Sequence, residues 1–182
     1  MSSRSRLVVV SGIPGCGKST LARQLAELLA FSYLDKDDFF DLLLHDSPVV
    51  DEETRHRLSR QADRDFERAA RCQPEAVLDS FWRHPSAHTR SGTPSDWLMA
   101  PEFMTAEVFC SCPPEIAATR FLARTRHPGH LDSAWDTASL VDQSRRLLSD
   151  LPLGIGPMIE VDTTAEIDVP RIARRIRVLL QI

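Results

Sequence analysis

Hydrophobic positions change their period several times along the chain, and the changes mark its elements. Leu7-Val8-Val9-Val10 is an unbroken apolar run of strand length, as expected of a strand buried on both faces. After a short turn, Leu21, Leu25, Leu28 and Leu29 recur at helical spacing. Phe31-Ser32-Tyr33-Leu34 is a second short run that ends in Asp35-Lys36-Asp37-Asp38, and Phe39, Phe40, Leu43 and Leu44 then resume a helical pattern. Asp35 or Asp37 is placed to cap that helix. From Asp51 to Gln73, Leu58, Ala62, Phe66, Ala69 and Ala70 share one side of a long helix. Arg57, Arg60, Arg64, Arg68 and Arg71 form a second stripe that Asp63, Asp65 and Glu67 can neutralise, which reads as a solvated face. Three more strands follow: Glu75 to Ser80 with Asp79 at its tip, Ala106 to Cys112 ended by Pro113-Pro114, and Met158 to Asp162. The helices between and after them hold Ile116, Phe121 and Leu122, then span about Thr137 to Asp150, then Val169 to Leu180 with Ile172, Ile176, Leu179 and Leu180 toward the sheet and Arg171, Arg174, Arg175 and Arg177 outward. Strands alternating with helices predict one α/β domain with a parallel sheet.

The turn after the first strand carries the clearest chemistry. Gly12 to Ser19 fits G-x-x-x-x-G-K-[ST], the Walker A pattern, in its required setting of a buried strand before and a helix after. Gly12, Gly15 and Gly17 admit backbone angles and close approach that a Cβ would block, so successive N–H groups can converge on phosphate oxygens. Lys18 supplies a point charge to β- and γ-phosphates, Ser19 offers a hydroxyl to Mg²⁺, and the helix N-terminus adds partial positive charge. Pro14, Cys16 and Thr20 complete the segment expected to wrap the nucleotide. No N-K-x-D guanine-reading motif is present, so ATP is expected over GTP.

Other candidates follow from position. In a doubly wound sheet, functional groups gather at the carboxyl ends of strands, which puts the acidic stretch from Asp35 before the γ-phosphate. Asp79 is the candidate for holding Mg²⁺ or orienting the loop serine. Phe81 to Arg90 mixes aromatic, histidine and arginine residues in a loop at the active edge, and Trp82 and Arg83 are the expected acceptor contacts. His84 and His88 read as ordinary loop histidines. Arg120 and Arg124, with Arg126 leading into His127-Pro128-Gly129-His130, suit a mobile lid over about residues 120–138 that brings cations onto a transferring phosphate. His127 and His130 lack the cysteine or carboxylate companions of a zinc site. Thr163 and Thr164 follow the last strand, where a loop is expected to border the adenine.

Composition narrows the classes. At 182 residues, 42% hydrophobic and 26% charged, the chain has the make-up of a single soluble domain, residues 1–182. A net charge of -4 argues against a general nucleic-acid or membrane surface. No apolar run approaches the ~20 residues of a spanning helix, and no signal-peptide core precedes the first strand, so a cytoplasmic location is expected. Of 22 Lys plus Arg, only Lys18 and Lys36 are lysines, and both fall in functional stretches. Cys16, Cys72, Cys110 and Cys112 show no metal-ligand spacing and read as free thiols. Oxidation or alkylation of Cys16 is expected to abolish nucleotide binding, with ATP protecting the thiol.

The quoted pieces resemble the small P-loop kinases of the nucleoside-monophosphate-kinase type, nearest the group that includes the phage polynucleotide 5′-hydroxyl kinase domain and the chloramphenicol phosphotransferases. The resemblance rests on GIPGCGKST at Gly12 to Thr20, LDKDDF at Leu34 to Phe39, VLDSFW at Val77 to Trp82, CPPEIAATRFLAR at Cys112 to Arg124, and VDTT at Val161 to Thr164. It implies a three-layer α/β sandwich whose five-stranded parallel sheet has the order 2-3-1-4-5, with helices on both faces and an arginine-bearing lid. It further implies Asp37 as general base for an acceptor hydroxyl, Asp35 as alternative base or magnesium-shell member, and Arg120 and Arg124 as the lid arginines. FWRHPSAHTR and RHPGH depart from the polynucleotide kinases, so a small hydroxylated acceptor such as a sugar, nucleoside or antibiotic is expected before a polynucleotide. Steep salt dependence and sensitivity to Arg57, Arg60 or Arg64 would mark the polynucleotide reading. A nucleotide-binding regulatory module without acceptor is the third reading, and the acidic cluster argues against it.

Overall fold

The computed structural model describes residues 4–46, 51–87, 91–125, 128–130 and 135–182. In chain order the elements are β1 (Ser5–Ser11), α1 (Lys18–Leu29), β2 (Ser32–Asp35), α2 (Lys36–Asp46), α3 (Glu52–Arg71), β3 (Glu75–Asp79), β4 (Trp82–Arg83), β5 (Thr93–Pro94), β6 (Phe103–Ser111), α4 (Pro114–Leu122), α5 (Thr137–Leu148), β7 (Met158–Asp162) and α6 (Val169–Leu179), with short 3₁₀ turns at Asp96–Met99 and Pro128–His130. The main sheet is parallel and runs β2-β3-β1-β6-β7, which is 2-3-1-4-5 when its own strands are numbered. β4 and β5 pair separately beside it.

β1 is central because Leu7 to Val10 can be buried on both faces. Val8 and Val10 pack with Leu25, Val77, Ala106 and Ile176 under α1 and α6. Leu7 and Val9 pack with Phe66, Ala70, Leu78 and Trp97 under α3. Helices therefore cover both faces, and the expected sandwich is the observed one. α3 is capped by Asp51, whose side chain accepts from the Thr54 N–H at 2.6 Å. Its arginine stripe is neutralised at the surface: Arg68 lies 3.1 Å from Asp65, and Arg71 reaches Glu67 and Glu102. Exposed pairs of this kind add little stability.

The apolar side chains of α4 divide between core and solvent. Ile116 and Leu122 are exposed, while Ala117, Ala118 and Phe121 face inward. The reason is proximity, since a Cβ on Gly15 would lie 2.1 Å from the Ala117 carbonyl oxygen. Only small residues let α4 approach the glycine loop so closely. Leu28 likewise turns outward, and Ala22 and Ala26 complete the buried stripe of α1.

A charge in the middle of the sheet joins the site to the far loop. Glu107 of β6 is fully buried and accepts hydrogen bonds from Ser11 Oγ (2.6 Å), the Leu153 N–H (2.8 Å) and the Gly154 N–H (3.1 Å). A buried carboxylate persists only when so satisfied. Glu107→Gln swaps one acceptor oxygen for an NH₂ group that cannot take an N–H, and chemical denaturation should show a loss of about 2 kcal/mol. An unchanged midpoint would mean that the loop docks without this carboxylate.

Candidate active site

The loop Gly12–Ser19 is shaped by close contacts. Gly15 has φ 84 and is pinned against α4, and Gly17, the N-cap of α1, has φ 95. No side chain caps α1, so its first-turn N–H groups are not taken up by one. Lys18 is buried and folds back over the loop, its Nζ donating to the Ile13 carbonyl at 3.0 Å. A cradle of this kind, with its lysine already inside, fits a phosphate chain. Cys16 offers main chain only. Its side chain is wholly buried, and a Cβ on Gly12 would meet Cys16 Sγ at 2.7 Å and Cys110 Cβ at 3.2 Å. A hydrogen bond from Cys110, helped by Lys18, draws the Cys16 thiol down to about 6, and the same contact pushes Cys110 up. None of the cysteines forms a disulfide.

The acids stand one strand over. Asp35 ends β2 and Asp79 ends β3, and the two are register partners. Asp79 also pairs with Val10 across β1, which places it beside the root of the glycine loop. Burial, with the Asp79 and Asp37 charges, pushes the Asp35 carboxyl up to about 7. Burial raises Asp79 too, against the pull of Lys18 and a hydrogen bond from Ser19. Asp35 is the cap of α2, its Oδ1 accepting from the Asp37 N–H at 3.0 Å. Asp37 is half-buried in the first turn, and its charge acts on Asp35, Asp79 and Lys36. One acid, Asp79, therefore feels both the loop lysine and Asp37.

Two buried carboxylates and a serine hydroxyl are hard oxygen donors of the kind Mg²⁺ takes, with phosphate oxygens and water completing its shell. Among the described residues no three His, Cys, Asp or Glu side chains form a cage of their own. Where a folded carboxyl titrates near 7 and its unfolded counterpart near 4, the folded chain binds the extra proton in between, so metal-free stability falls as pH rises through that window. Asp35→Asn should therefore raise the stability of the metal-free protein at pH 8 by roughly 2 kcal/mol. Thermal melting with and without a chelator checks it, and destabilisation by the asparagine would refute the burial argument.

The residues expected in a lid divide. Arg120 donates to the Thr163 carbonyl at 3.1 Å and approaches Cys112 Sγ at 3.9 Å, so it lies across the loop after β7. Thr163 uses its N–H and hydroxyl on the Ser111 carbonyl, and its own carbonyl takes Arg120, so the residue pins the loop after β7 to β6. Beside it a cavity of about 480 Å³ opens at the ends of β6 and β7, lined by Ser111, Cys112, Pro113, Pro114, Asp162 and Thr164 among others. Arg124 lies just past the end of α4 and folds back onto it, 4.4 Å over the Phe121 ring. Arg126, His127 and the stretch 131–134 lie outside the described residues, as do His88 and Arg90.

Trp82, expected at the acceptor, is a wall residue. It is buried against Phe66, and its indole N–H donates to the Val10 carbonyl at 3.0 Å. The Arg83 backbone packs on Gly92 and its carbonyl accepts from Ser95 Oγ, while the side chain is half-buried. Lys36 ties α2 to α3: its Nζ donates to Ser59 Oγ at 2.8 Å, lies 3.9 Å from Asp63, and burial lowers its pKa. Asp63 is itself buried, accepts from Thr93 Oγ1 at 2.8 Å and lies 3.2 Å from Arg60, so it anchors the loop through β4 and β5 as well as neutralising one arginine of the stripe. His130, read from the sequence only as part of the lid stretch, is buried 2.6 Å from Asp41 Oδ1 and edge-on to Phe40. Nothing in the sequence around His130 signals a partner on α2.

A family profile described as an AAA domain, AAA_18, matches residues 8–137, from β1 through both acidic strand tips to the head of α5. The chain belongs to this family. A cytidylate kinase from Natronomonas pharaonis is 34% identical over 106 residues, covering 56% of this chain and 55% of the relative. The chain spans little more than half the length of the curated relatives it matches. A proposed kinase from Chloroflexus aurantiacus, known from a crystal structure, is 26% identical with a TM-score of 0.79, over 99% of this chain and 100% of that one. A shikimate kinase from Bacteroides thetaiotaomicron, at 17% identity and TM-score 0.61 over 98% and 99% of the two chains, shares the fold. This AAA_18 member is thus a P-loop NTPase of kinase-like architecture. The comparisons favour that wider grouping without singling out the polynucleotide kinases or chloramphenicol phosphotransferases. Among the described residues no helix is long and apolar enough to cross a membrane.

Proposed function

We propose that this chain transfers the γ-phosphate of ATP to a hydroxyl group of a small molecule. The observation that carries the reading is the placement of Asp37, in the first turn of α2, where its charge reaches the same Asp79 that Lys18 and Ser19 address. An acceptor that is already a phosphate needs no base. An alcohol does, and a carboxylate at this point is placed to receive its proton.

Lys18 and the amides of the loop hold the triphosphate in line, and Arg120 adds positive charge from the lid side. Ser19, Asp35 and Asp79 would hold Mg²⁺, which when bound supplies charge neutralisation on the phosphate oxygens. Asp37 is too weak a base to ionise an alcohol in the ground state, so it orients the hydroxyl and accepts the proton late in the transfer. Trp82 and the Asp63 network keep the adjoining loop in shape and do not touch the reacting atoms.

A second reading rests on the relatives named cytidylate kinases, whose name implies a nucleotide acceptor. Pools of sugars, nucleosides, antibiotics and nucleoside monophosphates incubated with γ-labelled ATP separate the two. Label in a hydroxyl pool supports the alcohol reading, and label confined to the monophosphate pool overturns it.

A further inference from the structure

Directly behind the acid pair stands a residue that the mechanism above leaves without a role. Tyr33 is the only tyrosine of the chain and lies two residues before Asp35 on β2, so both side chains leave the same face of the sheet. Its ring packs against the core beneath α1, with the Arg23 guanidinium 5.4 Å from the ring centroid. Its hydroxyl lies 2.9 Å from Asp35 Oδ2 and 3.3 Å from Asp79 Oδ2. The phenol thus spans the tips of two neighbouring strands.

That contact completes the constraint on Asp35. Its Oδ1 is held by the Asp37 N–H, its Oδ2 by Tyr33, and Arg23 approaches Oδ2 to 3.9 Å. The Asp79 carboxylate shares the same hydroxyl as well as Ser19. A hydroxyl has one proton to donate, so it acts as a shared strut that fixes how the two Oδ2 atoms face each other. Groups that orient ligating carboxylates in this way tune the metal site, and their loss typically costs about 10–100-fold in metal affinity or activity.

We propose that Tyr33 is a positioning residue of the magnesium site, holding Asp35 and Asp79 in the mutual orientation that a divalent cation shared with the nucleotide requires. This rests on the reading of those two acids as magnesium ligands. Tyr33→Phe keeps the ring and its packing and removes only the strut, so its melting temperature should stay close to that of the unaltered chain. Mn²⁺ titrated into the protein with a non-hydrolysable ATP analogue, read by electron paramagnetic resonance, should bind the phenylalanine variant about tenfold more weakly. The kcat at saturating Mg²⁺ should stay close to the unaltered value, and the Mg²⁺ concentration for half-maximal rate should rise in step with the Mn²⁺ constant. Because there is one tyrosine, 3-fluorotyrosine labelling gives a single ¹⁹F resonance, which should move when Mg²⁺ and the analogue are added together. Equal Mn²⁺ affinity in the two proteins, or an unmoved resonance, overturns the role of Tyr33 and leaves the acids' role standing. An unaltered protein that takes up no Mn²⁺ with the analogue overturns both.

Discussion

Lys18→Ala should leave a folded protein whose ATP turnover is lowered by about 10²–10³-fold or more, the scale seen when a preorganised charge facing a developing negative charge is removed. The argument is local. Lys18 is buried, reaches the Ile13 carbonyl inside the loop, and is the cation that Asp79 feels. No neighbouring lysine can replace it, because Lys36, the only other one, is engaged with Ser59 and Asp63 on the α2–α3 side. Circular dichroism separates loss of site from loss of fold. Turnover within a few-fold of the unaltered protein would remove the glycine loop from the mechanism.

Asp37→Asn should lower transfer to the true acceptor by about 10²–10⁴-fold, the range supplied by a positioned general base. Nucleotide affinity should be nearly unchanged, since the loop and Lys18 are untouched. Asparagine keeps the size and the helix start, because the cap of α2 is the side chain of Asp35 and only the Asp37 backbone takes part. This split between binding and chemistry distinguishes Asp37 from Asp35. A change at Asp35 should raise the metal requirement and, without metal, stabilise the fold. If Asp35→Asn abolishes transfer at saturating magnesium while Asp37→Asn does not, the roles are reversed.

What could be read from the chain before its structure follows physical locality. The glycine loop and strand tips were legible because backbone permissiveness, an apolar run and a cap signal all act within a few residues. The strand order came from resemblance, and the register of Asp35 with Asp79 then turned two separate candidates into one pair. The residues whose place only the structure gives depend on remote partners. Glu107 interrupts an apolar strand, and its donors lie 96 and 46 positions away. Trp82 looks like a ligand contact until its N–H is seen to end on Val10, 72 positions earlier. The facing of Ile116 and Leu122 could not be read, since it is set by the close approach of Ala117 on α4 to Gly15, about a hundred positions earlier. Tyr33 read as one more apolar position, because its ring is one and only its hydroxyl is not.

The claim on which the rest turns is that the acceptor atom is an alcohol oxygen aimed by Asp37. Phosphorus magnetic resonance of the product formed from ATP and the accepted compound tests it most directly. The account predicts a phosphate monoester resonance that disappears with Asp37→Asn. A phosphoanhydride resonance from a monophosphate acceptor, formed equally well by that variant, would contradict it.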